Sequence, residues 1–539
     1  MSVVVDAVAD LVIRAGKVYS FGAGPVTAFA ARGGNVVAVA GPDDAGDLLR
    51  AWVGSETVVI DDPQLVVLPA FVDTHNHLML AARNVLGVPV SQATDIASLI
   101  ALVRARAERT PPGDWVVSAA DWHEMRLAER RMPTAQELDL ATADHPVLVQ
   151  RGGHNMVLNS EGLRRAGIGR DTPDVPGGVI VRDAAGDPAG WLQDNAMAAV
   201  MQVVPAYPVD ALADGLVTAA ARYAAHGLGT VRDPAISPDD WQVYRAAAPR
   251  LAVRSHPMII TAPGAIDTPD AYLDALEAQG ITPGATHGRA RLWGLKFVLD
   301  GGVEAAALSE PYLDRPDFYG ELAWERDHLA IALETCLRRG WPVGAHAFGD
   351  RAVGLIVDLA RELTERHGPI PPGLLVIEHG GLIGAERIAE ATSLGIHITV
   401  QQALITGLGP ALLNAWGTER TAALFPLRHL LDAGASISAG TDHPIGPLDP
   451  LANVYHMVTR ASPSGILGPE HAITRIEALR LYTTAGAQFL GRRDEPLSVG
   501  APADFVGYHT DPYTCPDEQL RHLAPAVTGI AGALTYRAE

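Results

Sequence analysis

The feature that most constrains this chain's fold is an alternation. From about residue 68 onward, short apolar segments recur between stretches of helical period, the signature of βα units around a parallel sheet. Eight candidate strands can be counted: LPAFVDTH, GLGTVRD, LAVRSHPMII, RLWGLKFVLD, WPVGAHAF, LLVIEH, IHITVQQ and ASISAGTD. Eight is the number that closes a (β/α)8 barrel of the TIM type, an α/β fold. The intervening helices include DHLAIALETCLRRG and DRAVGLIVDLARELTERHG, each ending in glycine as a C-cap does. The interval between the first two strands is much longer than the others, so residues from about 85 to 210 read as an insertion. Both chain ends read as short β strands broken by turn residues, for instance TAFAARGGNVVAVAG and LSVGAPADFVGYHTDPY. The expected organisation is residues 1–68 and 490–539 as the two halves of a small β-sandwich domain, and 69–489 as the barrel.

Composition narrows the partners. The chain has 539 residues, 48% of them hydrophobic, and a formal charge of -21, so it would repel nucleic acid and anionic lipid surfaces. A small-molecule partner is the better expectation. Cys336 and Cys515 stand far apart with no CxxC or Cys/His finger spacing, against a disulfide framework or a structural zinc knuckle. The amino terminus lacks a basic leader, and no apolar run approaches membrane-spanning length. A reducing, cytoplasmic setting is the default expectation.

In a barrel the carboxyl ends of the strands face the active site. The first candidate strand ends on His75 and His77, the fourth carries Lys296, the fifth reaches His346, the sixth His379 and the eighth Asp442. Zinc and its neighbours favour imidazole and carboxylate ligands arriving from several directions, which strand ends supply. Each residue alone has a plainer reading. An HxH pair can close a strand, a lone histidine is more often a satisfied core residue, Lys296 could pair with Asp300, and Asp442 could start a turn. Their joint placement at five strand ends favours one metal site.

The same residues carry a resemblance. The chain resembles the amidohydrolase superfamily, whose pattern is HxH on strand one, lysine on strand four, histidines on strands five and six, and aspartate on strand eight. It looks most like the amidohydrolase-3 branch, the group that includes N-substituted formamide deformylases. RMPTAQELDLATADHPVLVQRGGHNMVLNS, GGVIVRDAAGDPAGWLQDNA, HAFGDRAV, FPLRHLLDAGASISAGTDHPIGPLDPL, LRLYTTAGAQFLG and GAPADFVGY each resemble a block of that branch. The chain departs from the usual pattern at Ala70, Gln402, Thr441 and His443, where the branch has glycine, proline, serine and a small residue.

The resemblance implies a metal-dependent hydrolase of non-peptide carbon–nitrogen bonds in a small N-acyl, N-formyl or carbamate-like molecule, using one or two zinc ions. With Lys296 carboxylated, one ion would be held by His75, His77, Lys296 and Asp442, and the other by Lys296, His346 and His379. With Lys296 unmodified, a mononuclear site remains. The metal would generate hydroxide from its bound water near neutral pH, and Asp442 would carry the proton to the leaving nitrogen. His154, Trp122 and His443 are candidates for contacting substrate, although His154 could equally cap or fill a core. Such barrels commonly form homo-oligomers. Ester, lactone or deamination chemistry on the same site is the alternative within enzymes. A barrel retained only as a binding or scaffold protein is the alternative outside them, and the complete ligand set argues against it.

Overall fold

The computed structural model describes residues 8–20, 25–153, 155–175, 178–492 and 494–539. The chain divides into two compact units, one of residues 1–78 with 220–539 and the other of residues 79–219.

Parallel barrel strands dominate the first unit: β1 (Phe71–Asp73), β2 (Leu228–Ile236), β3 (Arg254–Ile260), β4 (Gly294–Val298), β5 (Val343–Ala347), β6 (Leu375–His379), β7 (His397–Val400) and β8 (Ile437–Ala439). They pair in chain order from β1 to β8, and every pairing is parallel. The seam between the first and last strands is joined by Thr74 N–H donating to the Ala439 carbonyl at 3.1 Å and Asp442 N–H donating to His75 O at 2.8 Å. Outer helices form where the periodicity places them. The Asp350–His367 helix buries Val353, Ile356, Val357, Ala360 and Leu363, and it stops at Gly368, whose φ of 86° suits a residue without Cβ.

Both chain ends contribute to one seven-stranded sheet. Its order runs Ala533–Arg537, Val527–Ile530, Phe505–Tyr508, Val58–Pro69, Leu11–Val18, Val26–Arg32, Asn35–Ala40. Phe505 pairs with Pro69, so the three carboxy-terminal strands join the four amino-terminal strands at a single antiparallel boundary. Phe29, Phe505, Ile13, Val67 and Val527 form one apolar cluster here, and Val12, Ala28, Ala30, Ala45 and Leu48 another. The amino-terminal sheet strand runs on to Pro69, so β1 is shorter than the segment expected from LPAFVDTH.

The second unit has its own five-stranded sheet, with Val147–Arg151 and Asn155–Leu158 as an antiparallel pair near its middle. It also has its own cores, including Leu99, Val103, Leu138, Val149 and Val157 in one cluster and Leu148, Met156, Leu158 and Leu192 in another. Among the described residues no helix is long and apolar enough to cross a membrane.

Candidate metal centre

Beyond β1 the chain leaves the strand but stays in the barrel mouth. Asp73 accepts from His75 N–H at 3.1 Å and from Thr441 N–H at 3.0 Å, which ties the two outer strand ends together. Gly440 is required at this seam, because a Cβ there would meet His75 O at 2.6 Å and His75 N at 2.7 Å. His77 N–H donates to His443 O at 2.7 Å. These backbone contacts leave the His75 and His77 imidazoles pointing at one carboxylate. His75 Nε2 lies 3.5 Å and His77 Nε2 3.0 Å from Asp442 Oδ1.

Among the described residues, His75, His77 and Asp442 form a group whose ligand atoms all lie within 4.8 Å of one another. The remaining imidazoles continue from it. The His75 and His379 ring centroids are 4.6 Å apart, as are those of His379 and His346. Lys296 is buried in the same field, acting electrostatically on His75, His346 and His379.

Two of the rings are oriented by acceptors behind them. His75 Nδ1 donates to Glu378 Oε2 at 2.7 Å and His379 Nδ1 donates to Gln401 Oε1 at 2.6 Å. An imidazole that gives its Nδ1 proton away keeps a lone pair on Nε2, the form a metal takes. His346 differs, with Nε2 3.3 Å from the Gly301 carbonyl oxygen and 3.6 Å from Asp300 Oδ1. Asp300 is itself occupied with accepting the Phe348, Gly349 and Ala307 N–H groups at 2.8–3.0 Å, which fastens the loop after β5.

His379 and Asp442 have left-handed backbone, with φ of 74° and 55°. Such values in residues with a Cβ are uncommon and cluster at functional sites. At β6 the left-handed turn also breaks strand alternation, so consecutive Glu378 and His379 both reach the His75 ring.

Charge follows this packing. Burial lowers the Lys296 pKa to about 8, with Arg232 acting the same way and Glu378, Asp442 and Asp300 opposing. Burial and Lys296 pull His75 down, and the Glu378 and Asp442 carboxylates outweigh them for a net rise. Burial works against ionised Asp442, but His75 and His77 hold it well below the usual carboxylate range. Asp442 Oδ1 is buried and accepts no satisfactory hydrogen bond. A buried anionic oxygen without a donor, facing two imidazole nitrogens, fits a divalent cation.

The substrate candidates fall out separately. His443 is half-buried, with Nδ1 3.2 Å from the Gly446 carbonyl oxygen and its ring edge-on to Tyr223 at 5.6 Å. Burial lowers its pKa to about 4, so it is neutral at pH 7. Trp122 lies in the core of the second unit, where its indole N–H donates to the Gln150 carbonyl at 2.6 Å. His154 lies outside the described residues. The sequence reading missed Glu378 and Arg232. Glu378 adjoins His379 and Arg232 sits one residue before Asp233 in GTVRD, but neither position in the sequence announces the other as its partner.

The family model that matches spans residues 58–536 and describes the amidohydrolase family. The chain belongs to the amidohydrolase family and, with it, to the hydrolases. It is 28% identical over 505 residues to the putative amidohydrolase YtcJ of Bacillus subtilis (strain 168), covering 90% of this chain and 92% of that one. It is 27% identical over 509 residues to the N-substituted formamide deformylase of Arthrobacter pascens, covering 90% and 91%. Among solved structures, an uncharacterized metal-dependent hydrolase from Pyrococcus furiosus superposes with a TM-score of 0.73 at 24% identity, covering 94% of this chain and all of that one. That likeness is one of overall fold.

Proposed function

We propose that this protein is a metal-dependent hydrolase that cleaves a carbon–nitrogen bond other than a peptide bond in a small N-formyl, N-acyl or carbamate-like molecule. The observation that carries the reading is the convergence of His75 Nε2, His77 Nε2 and the donorless Asp442 Oδ1 at the barrel mouth. The carbon–nitrogen preference draws its support from the formamide deformylase relative, matched over 91% of its length.

His75, His77 and Asp442 would hold one ion, zinc being the expected metal for this nitrogen and oxygen set. Carboxylation of Lys296 would add an anionic oxygen ligand and, with His346 and His379, a second position. The lowered pKa of Lys296 favours it, because the neutral amine is the form that attacks carbon dioxide. When bound, the metal supplies an activated water and polarises the carbonyl under attack. Asp442, an ionised carboxylate, accepts the proton of the attacking water and returns it to the departing nitrogen as the C–N bond breaks. His443, neutral and beside Asp442 in the chain, faces the substrate side as a hydrogen-bonding group.

Elemental analysis of protein never exposed to chelator tests the metal. We expect at least one equivalent, and less than about half an equivalent of any transition metal refutes it. A panel of N-formyl amines, N-acyl amino acids, carbamates and lactones tests the bond, read as released amine or acid. Turnover confined to lactones refutes the carbon–nitrogen assignment.

A further inference from the structure

The barrel interior behind His75 holds a charged pair with no contact to solvent. Arg232 on β2 and Glu378 on β6 are both fully buried. Arg232 Nη2 donates to Glu378 Oε1, and Nη1 donates to Glu378 Oε2 at 3.2 Å and to the Thr74 carbonyl at 2.8 Å. The guanidinium carbon lies over the Trp293 ring, 4.1 Å from its centroid, and 5.1 Å from that of Phe489. Thr399 on β7 donates to Glu378 Oε2 at 2.7 Å, the same oxygen that receives His75 Nδ1. Room for the pair is kept by Gly344 on β5, where a Cβ would meet Glu378 Oε1, Met258 Cε at 2.7 Å and Arg232 Nη2 at 2.9 Å.

An isolated buried ion pair of this kind often contributes little net stability and could be replaced by apolar side chains. This one has a third member. Three donors converge on the carboxylate, Arg232 from β2, Thr399 from β7 and His75 from the segment after β1, and only His75 faces the mouth. We propose that Glu378 is a positioning residue for the metal centre: it fixes His75 as the Nδ1–H tautomer and fixes its ring plane, so that the Nε2 lone pair meets His77 Nε2 and Asp442 Oδ1. Arg232, held by Trp293 and the Thr74 carbonyl, keeps Glu378 in place and charged without touching the centre.

The chemistry is specific to a carboxylate. Glutamine at 378 would offer one acceptor oxygen to three donors. The Arg232 fork, which is the stronger donor, takes that oxygen and turns the amide NH2 toward His75. His75 Nδ1 must then become the acceptor, its proton moves to Nε2, and the lone pair that faces Asp442 is lost. A metal ligand of that tautomer is blocked.

The inference rests on the metal reading above, and the test separates the two. The full chain, stripped of metal, is titrated with Zn2+ against a chromophoric chelator for wild type, Glu378→Gln and Thr399→Val, and the melting of each zinc-free protein is recorded. Glu378→Gln is expected to raise the zinc dissociation constant about 10–100-fold. Thr399→Val, which removes one donor from the same oxygen, should raise it by a smaller factor of about three or more. A purely structural role predicts lowered melting of the zinc-free protein with an unchanged zinc constant. Folded Glu378→Gln binding zinc within about twofold of wild type overturns the proposal. Should that variant not fold, an unchanged constant in Thr399→Val overturns it instead. Wild type that takes up no zinc removes the metal reading and this inference together. Tight wild-type binding matched by Glu378→Gln removes only the role of Glu378.

Discussion

Arg460→Lys should cost this protein far more than an exchange of like charges suggests. Arg460 is 1% exposed, has a left-handed φ of 55°, and follows the Pro450–Thr459 helix as its cap. All of its guanidinium N–H groups are spent. Nε donates to Leu467 O at 2.8 Å, Nη1 to Gln402 Oε1 at 2.9 Å and Phe425 O at 3.2 Å, and Nη2 to Ala422 O and Leu424 O, both at 3.0 Å. Burial lowers its pKa to about 10, so it remains a cation at neutral pH. A lysine ammonium donates from a single point and reaches about two of these five acceptors, leaving about three buried oxygens unpaired. At about 1 kcal/mol each the loss is about 3 kcal/mol. Urea unfolding followed by tryptophan fluorescence reads this as a midpoint lower by about 1 M, taking a slope of about 3 kcal/mol per molar. A midpoint within about 0.2 M of wild type would show that the carbonyl cage is not what holds this part of the barrel rim.

Three further outcomes follow from the same geometry. Asp442→Asn keeps an oxygen facing His75 and His77 but no longer accepts a proton, so turnover should fall about 10²–10⁴-fold while bound metal, read by elemental analysis, persists; near-normal kcat removes Asp442 from proton transfer. Burial raises the Asp449 pKa to about 7 from an unfolded value of 3.8, so the folded state binds more protons between those values and wild type loses stability as pH rises through that window. Asp449→Asn still caps Leu451 N–H and does not titrate, so its melting temperature should gain on wild type between pH 5 and pH 8, and a constant difference refutes the titration. Gly344→Ala forces a methyl against Met258, Arg232 and Glu378 and should destabilise by about 1–3 kcal/mol, measured by the same urea midpoint.

Strand ends were legible because they obey local rules. The HxH pair, Lys296, His346, His379 and Asp442 each follow an apolar run, and a barrel turns that position in sequence into a position in space. The alternation of strand faces was the misleading part. It assigns Glu378 and His379 to opposite sides of β6, and only the positive φ at His379, which no glycine announces, brings both inward. Arg232 was illegible for another reason: its partner stands 146 residues away, and pairing across that interval is written in the barrel's strand order and in no local pattern. Trp122, a candidate substrate contact from the sequence, has a packing that no local pattern announces: its ring joins an apolar core and its N–H donates to the Gln150 carbonyl.

The seam between the first and last barrel strands also dictates an order of assembly. Asp73, which anchors His75, is fastened to Thr441, 368 residues further along the chain. At ribosomal rates of 5–20 residues per second, roughly 20–70 s separate the synthesis of these two partners. Throughout that interval the nascent chain holds an apolar strand edge with nothing to close against and two histidines with no carboxylate opposite them. The residues made first among the candidate ligands are therefore the last to be placed, and the candidate centre is complete only in the finished chain.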